Sequence, residues 1–479
     1  MPNLLARSMR FTVLLAAGIV LSGCAVGPDY TPPHPLMAAS FRATAGLPPA
    51  AAPQADLASW WRAFGDPMLD KVIDQALAEN LDLAQAVARV RQARAAADVA
   101  RAALLPSGAF DASAAAAHQS VETPIGQIEQ ALGVDRDGNL YDVDGSVSWE
   151  ADIFGGLRRD RQAALADYQA ADAGSAAARV EVVAEAADIY ILVRTLQARL
   201  TVAHEELATQ EHLLNLVRQQ FSRGVIAGAS LHQAESVCST VSAQVPVLES
   251  SLETATNALE VLMGAAPGSW HAALAAPSPI PAPPAIVDAE GPVSLLRRRP
   301  DIIVAERRLA AASARIGAAI AEYYPHFSIS ALLGFSSASA ASLFGSGAAQ
   351  AQAIAGVRWR LFDFGRVDSE VATAHGRYAE ALAAYRLSVL QATSDVENAF
   401  TSLAKNQERA RLLESSEGSL DRELQSLRAA QARGVVSLID VLQSTGQLLQ
   451  ARDARVTAQS DAARAAVSSF RALGGGWQG

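Results

Sequence analysis

The chain has 479 residues, half of them apolar, with 39 basic against 49 acidic side chains and a net charge of −10. A length of this order suits either about three ordinary domains or one extended architecture, and the acidic balance argues against nucleic acid as a partner, because phosphate backbones are held by surplus Lys and Arg. Beyond the leader the charged residues never leave an uncharged apolar run long enough to cross a bilayer as a helix, which excludes a polytopic helical membrane protein but not a β-barrel with its short alternating spans.

Arg7 and Arg10 precede the apolar run Phe11 to Leu21. This is the layout of an export signal and is too short to span a membrane. The run ends in Leu21-Ser22-Gly23-Cys24, which resembles the bacterial lipobox, so residues 1–23 read as a signal peptide and Cys24 as the lipidated start of the mature chain. Ala25 in place of Asp permits, by resemblance to bacterial lipoproteins, sorting to the outer membrane. Residues 24–66 follow as a lipidated extended segment. The one other cysteine, Cys238, leaves no intrachain disulfide once Cys24 is acylated, and helical register predicts it on a buried stripe.

From Pro67 the chain repeats itself. Trp149 and Trp359 lie 210 residues apart, and the same offset aligns Phe154 with Phe364, Tyr168 with Tyr378, Arg223-Gly224-Val225 with Arg433-Gly434-Val435, and Gln233 with Gln443. Pro106 and Pro325 are offset by 219, which places a nine-residue length difference in the loops before the tryptophans. Repeat 1 spans 67–266, a Pro-rich linker spans 267–300, repeat 2 spans 301–473 and a tail covers 474–479. Prolines at 277, 279, 281, 283 and 284 forbid a continuous helix or central strand in the linker.

Within repeat 1 a helix is predicted from Pro67 to Leu105, then a weakly marked strand after Pro106. From Tyr141, the residues Val143, Gly145, Val147 and Trp149 alternate with Asp142, Asp144, Ser146, Ser148 and Glu150, a strand with one greasy and one acidic face. Repeat 2 shows Phe327, Ile329, Ala331, Leu333 and Phe335, then Val357, Trp359 and Leu361 alternating with Arg358 and Arg360. Each repeat thus offers a hairpin. Four strands cannot close a membrane barrel, which needs about eight at minimum; a dimer would bring eight and a trimer twelve.

After each hairpin the chain runs without proline from Leu157 to Ser222 and from Arg366 to Ala432. Such helices reach roughly 100 Å at about 1.5 Å per residue. Heptad spacing from Val182 to Phe221, repeated from Ala392 to Leu427, predicts a coiled-coil seam. Return limbs come next over Leu231 to Leu262, with a kink expected at Pro246, and over Asp440 to Arg471.

Scattered motifs now carry a family resemblance: Gly27-Pro28-Asp29-Tyr30; Trp60-Trp61, Phe64 and Asp66-Pro67; Asp152 with Phe154-Gly155; Arg298-Arg299-Pro300-Asp301-Ile302 with Ala305-Glu306; Phe364-Gly365-Arg366; and Leu473-Gly474-Gly475-Gly476-Trp477. In this order the chain resembles the TolC-type outer-membrane efflux channels, in their NodT-like or OprM-like lipoprotein branch. The resemblance implies a fold that is mainly α with a β-barrel contribution: a homotrimer whose twelve strands form one barrel in outer-membrane lipid above an α-helical periplasmic tunnel. It also implies a periplasmic adaptor and an inner-membrane pump of the resistance-nodulation-division class as partners, with no catalysis and no cofactor. An exit duct for type I protein secretion would share the fold; the lipobox and the linker motif around Asp301 favour small-molecule efflux. A pore-free coiled-coil lipoprotein is disfavoured by the two-faced strand.

By the resemblance, the turns between long helix and return limb are where adaptor tips dock, at Gly224, Val225, Gly434, Val435 and Ser437. Asp440, just inside the second turn, with Gln443 and Arg433, is the expected gate, three carboxylates facing one axis; the alternative role for Asp440 is the N-terminal cap of the return helix. The alternation places Asp142, Asp144, Glu150 and Asp152 on the lumen face, partly offset by Arg358 and Arg360, and suggests mild cation preference. His204 and His212 are eight apart, too far for ligands on adjacent turns, and read as a solvated face. Gly474-Gly475-Gly476 opens no helix carrying Lys and Ser or Thr, so it is no phosphate cradle. Met68 and Met263 are the only methionines beyond the leader and N-terminal segment, which disfavours a thioether-lined path for soft metal ions.

Overall fold

A computed structural model describes residues 25–34, 38–46, 56–133, 135–286 and 291–478. Cys24 and the leader lie outside these residues. In chain order the main elements are α1 (Pro67–Glu79), α2 (Leu81–Ala102), β1 (Ser107–His118), α3 (Pro124–Ala131), β2 (Asp137–Ala151), α4 (Gly156–Ser222), α5 (Gly228–Leu262), α6 (Pro300–Ala321), β3 (His326–Ser337), β4 (Ala349–Arg358), α7 (Arg366–Gln431) and α8 (Leu438–Ala472). The protein is therefore mostly helical with one small sheet, and its duplicated order is explicit in the two hairpins, the two long helices and the two return helices. The chain divides into two units. Of the described residues, the first holds those from 25 to 33 with those of 91–170 and 306–384, and the second holds those of 34–90, 171–305 and 385–478.

In the first unit the strands lie in the order β1-β2-β3-β4, each pair antiparallel. The two hairpins share one register. Ser107 opposes Ser148 in the first, and their counterparts at offsets 219 and 210, His326 and Arg358, oppose each other in the second. Trp149 Nε1 donates to Leu104 O at 3.0 Å and Trp359 Nε1 to Tyr323 O at 2.9 Å, again the same contact twice. The N-terminal strap is held by Arg159, buried, which donates to the Val26 and Gly27 carbonyls and pairs with Asp29 at 3.0 Å. A Cβ on Gly27, whose φ is +87°, would sit 2.4 Å from Gly317 Cα, so the strap and α6 meet glycine on glycine. Tyr30 donates to Glu306 at 2.5 Å. Alanines 163, 166, 310, 311 and 314 form the contact between α4 and α6, small side chains that allow close helix approach.

In the second unit the scattered motifs converge. Trp60 stacks on Phe470 with centroids 5.0 Å apart and meets Trp61 and Phe64 edge-on. Gly476 N donates to Leu57 O at 2.7 Å, and Trp477 Nε1 to Arg298 O at 2.9 Å. Arg299 binds Asp301 and Asp395. Asp66 caps α1 through Met68 N and also receives the Tyr190 hydroxyl at 2.7 Å; burial, then that hydrogen bond, push the phenol up.

Several expectations are corrected. The helix predicted from Pro67 to Leu105 is two helices, broken at Asn80, whose amide donates to Leu262 O at 2.8 Å and accepts from Leu83 N at 2.9 Å. The last strand ends at Arg358, so Trp359, Arg360 and Leu361 lie beyond it. Cys238 is half-buried rather than buried. The heptad stripe is buried at Val182, Ala186, Val193 and Leu196, but Val183, Ala187, Tyr190, Ile191 and Arg194 are buried too, so this stretch of α4 is covered on more than one face instead of along a narrow seam.

Candidate functional site

Pleating sorts the sheet residues into two faces, and the registers show which residues share one. One face carries Phe110, Val143, Val147, Trp149, Leu333 and Val357 in mutual register. Phe110, Leu333 and Val357 are each more than half exposed, an apolar surface presented outward. The opposite face carries Asp111, Asp142, Asp144, Glu150, Gln350 and Arg358, interrupted by Leu332 and Ile354. An exposed apolar face backed by a polar one is the distribution that separates lipid from water. Asp144 lies against Gly334, where a Cβ would stand 2.0 Å from the carboxylate, and accepts from Gln350 Nε2 at 2.7 Å. Asp142 accepts weakly from Ser113 at 3.4 Å.

A charge network closes one end of this polar face. Glu150 meets His326 Nδ1 at 2.7 Å, and His326 Nε2 faces Glu322 at 3.6 Å. Arg360 pairs with Glu322 at 2.8 Å and with Glu370 at 3.3 Å, and Arg366 pairs with Glu370 at 3.0 Å. Asp152, one residue past β2, accepts from Leu157 N and Arg158 N and pairs with Arg158 at 3.1 Å, so it works as the start of α4. Strand alternation thus fixes the face of Asp142, Asp144, Glu150 and Arg358, while Asp152 and Arg360 are held by connections.

The two helical turns are alike in their bonding. Val225 N donates to Gln220 O and Gly224 N to Phe221 O; Val435 N donates to Ala430 O and Gly434 N to Gln431 O. Gly224 and Gly434 have φ of +71° and +74°, the left-handed geometry that ends a helix with little steric cost only at glycine. Val225 and Val435 are 70% and 74% exposed, apolar side chains offered to solvent by the turn. Arg433 and Gln443 are exposed. Ser437 and Asp440 form a capping box: Ser437 Oγ accepts from Asp440 N at 3.2 Å, and Asp440 accepts from Ser437 N at 2.9 Å. The Ser437 hydrogen bonds hold the Asp440 carboxyl below its ordinary range.

Buried charges in the second unit carry no functional expectation from sequence. Arg194, 2% exposed, donates to the Tyr190 hydroxyl, Gln197 and the Ala276 carbonyl. Glu260, fully buried, accepts from Gly268 N and Trp270 N. Both fasten the linker to helices; an isolated charge inside an apolar run, as at Ile189 to Thr195, is the available signal. His204 and His212 are exposed, and among the described residues no group of three or more His, Cys, Asp or Glu is arranged to hold a metal ion. Nor is any described helix long and apolar enough to cross a membrane.

Comparison with known proteins places these features. The pyoverdine export outer membrane protein OpmQ of Pseudomonas putida is 31% identical over 98% of each chain. Nodulation protein T of Rhizobium leguminosarum bv. trifolii is 27% identical over 92% of each. The structure of the outer-membrane channel OprN matches with a TM-score of 0.82 at 32% identity, covering 95% of this chain and all of that one. The model of the outer membrane efflux protein family matches residues 72–265 and 291–475. With its duplicated hairpins and long helices, the chain belongs to the outer membrane efflux protein family, as an OprM/NodT-like outer-membrane channel.

Proposed function

We propose that this protein is the passive exit duct of a tripartite efflux pump, in which three copies pool their hairpins into one twelve-stranded barrel and their helices into a periplasmic tunnel. The observation that carries the reading is the four-stranded sheet, apolar on one face and charged on the other, with β1 and β4 at open edges. An open edge in lipid leaves backbone groups without partners, each costing several kcal/mol, so closure by further copies is the stable solution. The apolar face meets lipid. The face of Asp142, Asp144, Glu150 and Arg358 lines the lumen, with Asp152 and Arg360 at its rim, and favours cations mildly.

The exposed valines of the turns, with Gly224, Gly434 and Ser437, suit the docking of a periplasmic adaptor that links the duct to an inner-membrane pump of the resistance-nodulation-division class. Asp440, Gln443 and Arg433 form the gate beside it. Acylation of Cys24 anchors the N-terminus; Val26 N, two residues on, donates to Phe154 O at 3.0 Å, close to the end of β2, which brings the strap to the foot of the hairpin. The cargo is small toxic compounds. The deciding experiment is reconstitution of detergent-purified protein in planar bilayers with its mass measured in parallel: a trimer that conducts with a cation-leaning reversal potential is expected, and a stable monomer that leaves the bilayer impermeable overturns the reading.

A further inference from the structure

The duplication specifies how one copy meets the next, residue by residue, because the chain already contains one worked example of a junction between repeats. That example is β2 against β3, where Ser148 opposes Ser330, Trp149 opposes Ile329 and Val147 opposes Ala331. The offsets carrying β1 onto β3 and β2 onto β4 are verified by the hairpins themselves, since the first pair of one maps onto the first pair of the other. Moving the β2·β3 junction by these offsets places the free edge of β4 against the free edge of β1 in another copy. Arg358, the last residue of β4, then opposes Asp111, and Val357 opposes Ala112.

We propose that copies of this chain join through β4 and β1 in this one register, locked on the lumen face by an ion pair between Arg358 of one copy and Asp111 of the next. The proposal rests on the trimeric-duct reading. Three observations support the register. It keeps faces together, setting apolar Val357 on apolar Ala112 and polar Arg358 on polar Asp111. It puts complementary charge where the junction inside the chain has two serines, Ser148 and Ser330. And it serves groups that lack partners: among the described residues neither the Arg358 nor the Asp111 side chain makes a hydrogen bond or ion pair, and Asp111 directly opposes Asp144, a like-charge pair that a facing guanidinium relieves.

Other surfaces are bare where their repeat counterparts are covered. Phe154 stacks on Tyr324 with centroids 4.5 Å apart, whereas Phe364 is fully exposed and Leu105, the counterpart of Tyr324, is 61% exposed. In α6, Ala310, Ala311, Ala312, Ala314 and Ile316 are buried, whereas no residue of the matching stretch 91–102 of α2 is buried. Each bare surface is one that the shifted junction would cover with a second copy. The serine-to-charge difference gives the two kinds of junction distinct chemistries, so that β4 is steered toward β1 of another chain.

The test uses full-length lipidated chain carrying Cys238→Ser and retaining Cys24. The pair Asp111→Cys with Arg358→Cys is compared with two pairs shifted by two residues on the same face, Ala109→Cys with Arg358→Cys and Ser113→Cys with Arg358→Cys, using copper phenanthroline and a short bis-thiol crosslinker in outer membranes. The expected result is a covalent ladder to trimer for the first pair alone. Stronger crosslinking at either shifted pair, or none at any pair in material that is trimeric by mass, overturns the register while leaving the duct reading intact; a monomer by mass overturns both. Charge reversal tests the lock separately. Arg358→Asp should lower the SDS-resistant trimer several-fold, and adding Asp111→Arg should restore it. A double variant as poor as the single one overturns the ion pair.

Discussion

The two helical turns share one backbone and differ in the return helix that each one launches. Residues 220–225 and 430–435 make the same hydrogen bonds and place glycine in the same left-handed conformation. Yet α5 starts at Ala227 with no side-chain cap, while α8 starts at Ser437 with a capping box. Further along, α5 contains Pro246, where α8 has the buried Val456. The proline cannot donate to the carbonyl one turn back, so the α5 ladder is interrupted where that of α8 is whole. Glycine thus sets the reversal in both repeats, and the cap and the uninterrupted ladder make the second return limb the stiffer.

The largest effect expected from breaking this comparison is at Pro246. Pro246→Ala should stabilise α5 locally by up to about 3 kcal/mol, read as slowed amide exchange around residues 242–247, with Val456→Pro producing the opposite change in α8. Next come the turns. Gly224→Ala and Gly434→Ala should each cost about 1–2 kcal/mol, because alanine is forced into left-handed geometry although space for its Cβ is open; unequal losses would show that the turns are not equivalent. Ser437→Ala should then cost about 1 kcal/mol in the second limb, and Ala227→Ser should return part of that to the first. Exchange rates at the first turn of each return helix report both.

The smallest effect is a pH dependence confined to the second limb. Asp440 is held below the usual carboxylate range by Ser437, so its folded-state pKa is depressed. Its contribution is complete above the unfolded value of about 4 and is lost as pH falls through the lower folded value. Acidification should therefore fray the start of α8 but not that of α5, which has Ser230 at the matching position. Asp440→Asn should remove the difference, and NMR or exchange measurements across this range would detect it.

Periodic features are the legible ones. The alternation from Tyr141 to Glu150 fixes the faces of β2, and both long helices can be read from the absence of proline and from length. The break at Asn80 is signalled only by one favoured capping residue, whose Oδ1 accepts from Leu83 N; what fixes it is a carbonyl 182 residues away that receives its amide. The end of β4 is misleading, since Trp359 and Leu361 continue the alternation after the backbone has left the sheet, Trp359 being tied instead to Tyr323. The roles of Arg194 and Glu260 depend on linker carbonyls and amides that no local pattern announces. Propensities of tenths of a kcal/mol per residue yield to such tertiary bonds.

The nine-residue mismatch between the repeats falls wholly in the hairpin connections, and the strand registers on either side are unchanged by it. One connection has even acquired the short helix α3, while the other holds only a brief 3-10 turn. Length and sequence there are insulated from the pairing beneath. In an assembled duct these connections would be the portion that antibodies meet, free to change antigenic character from strain to strain while the conduit keeps its bore.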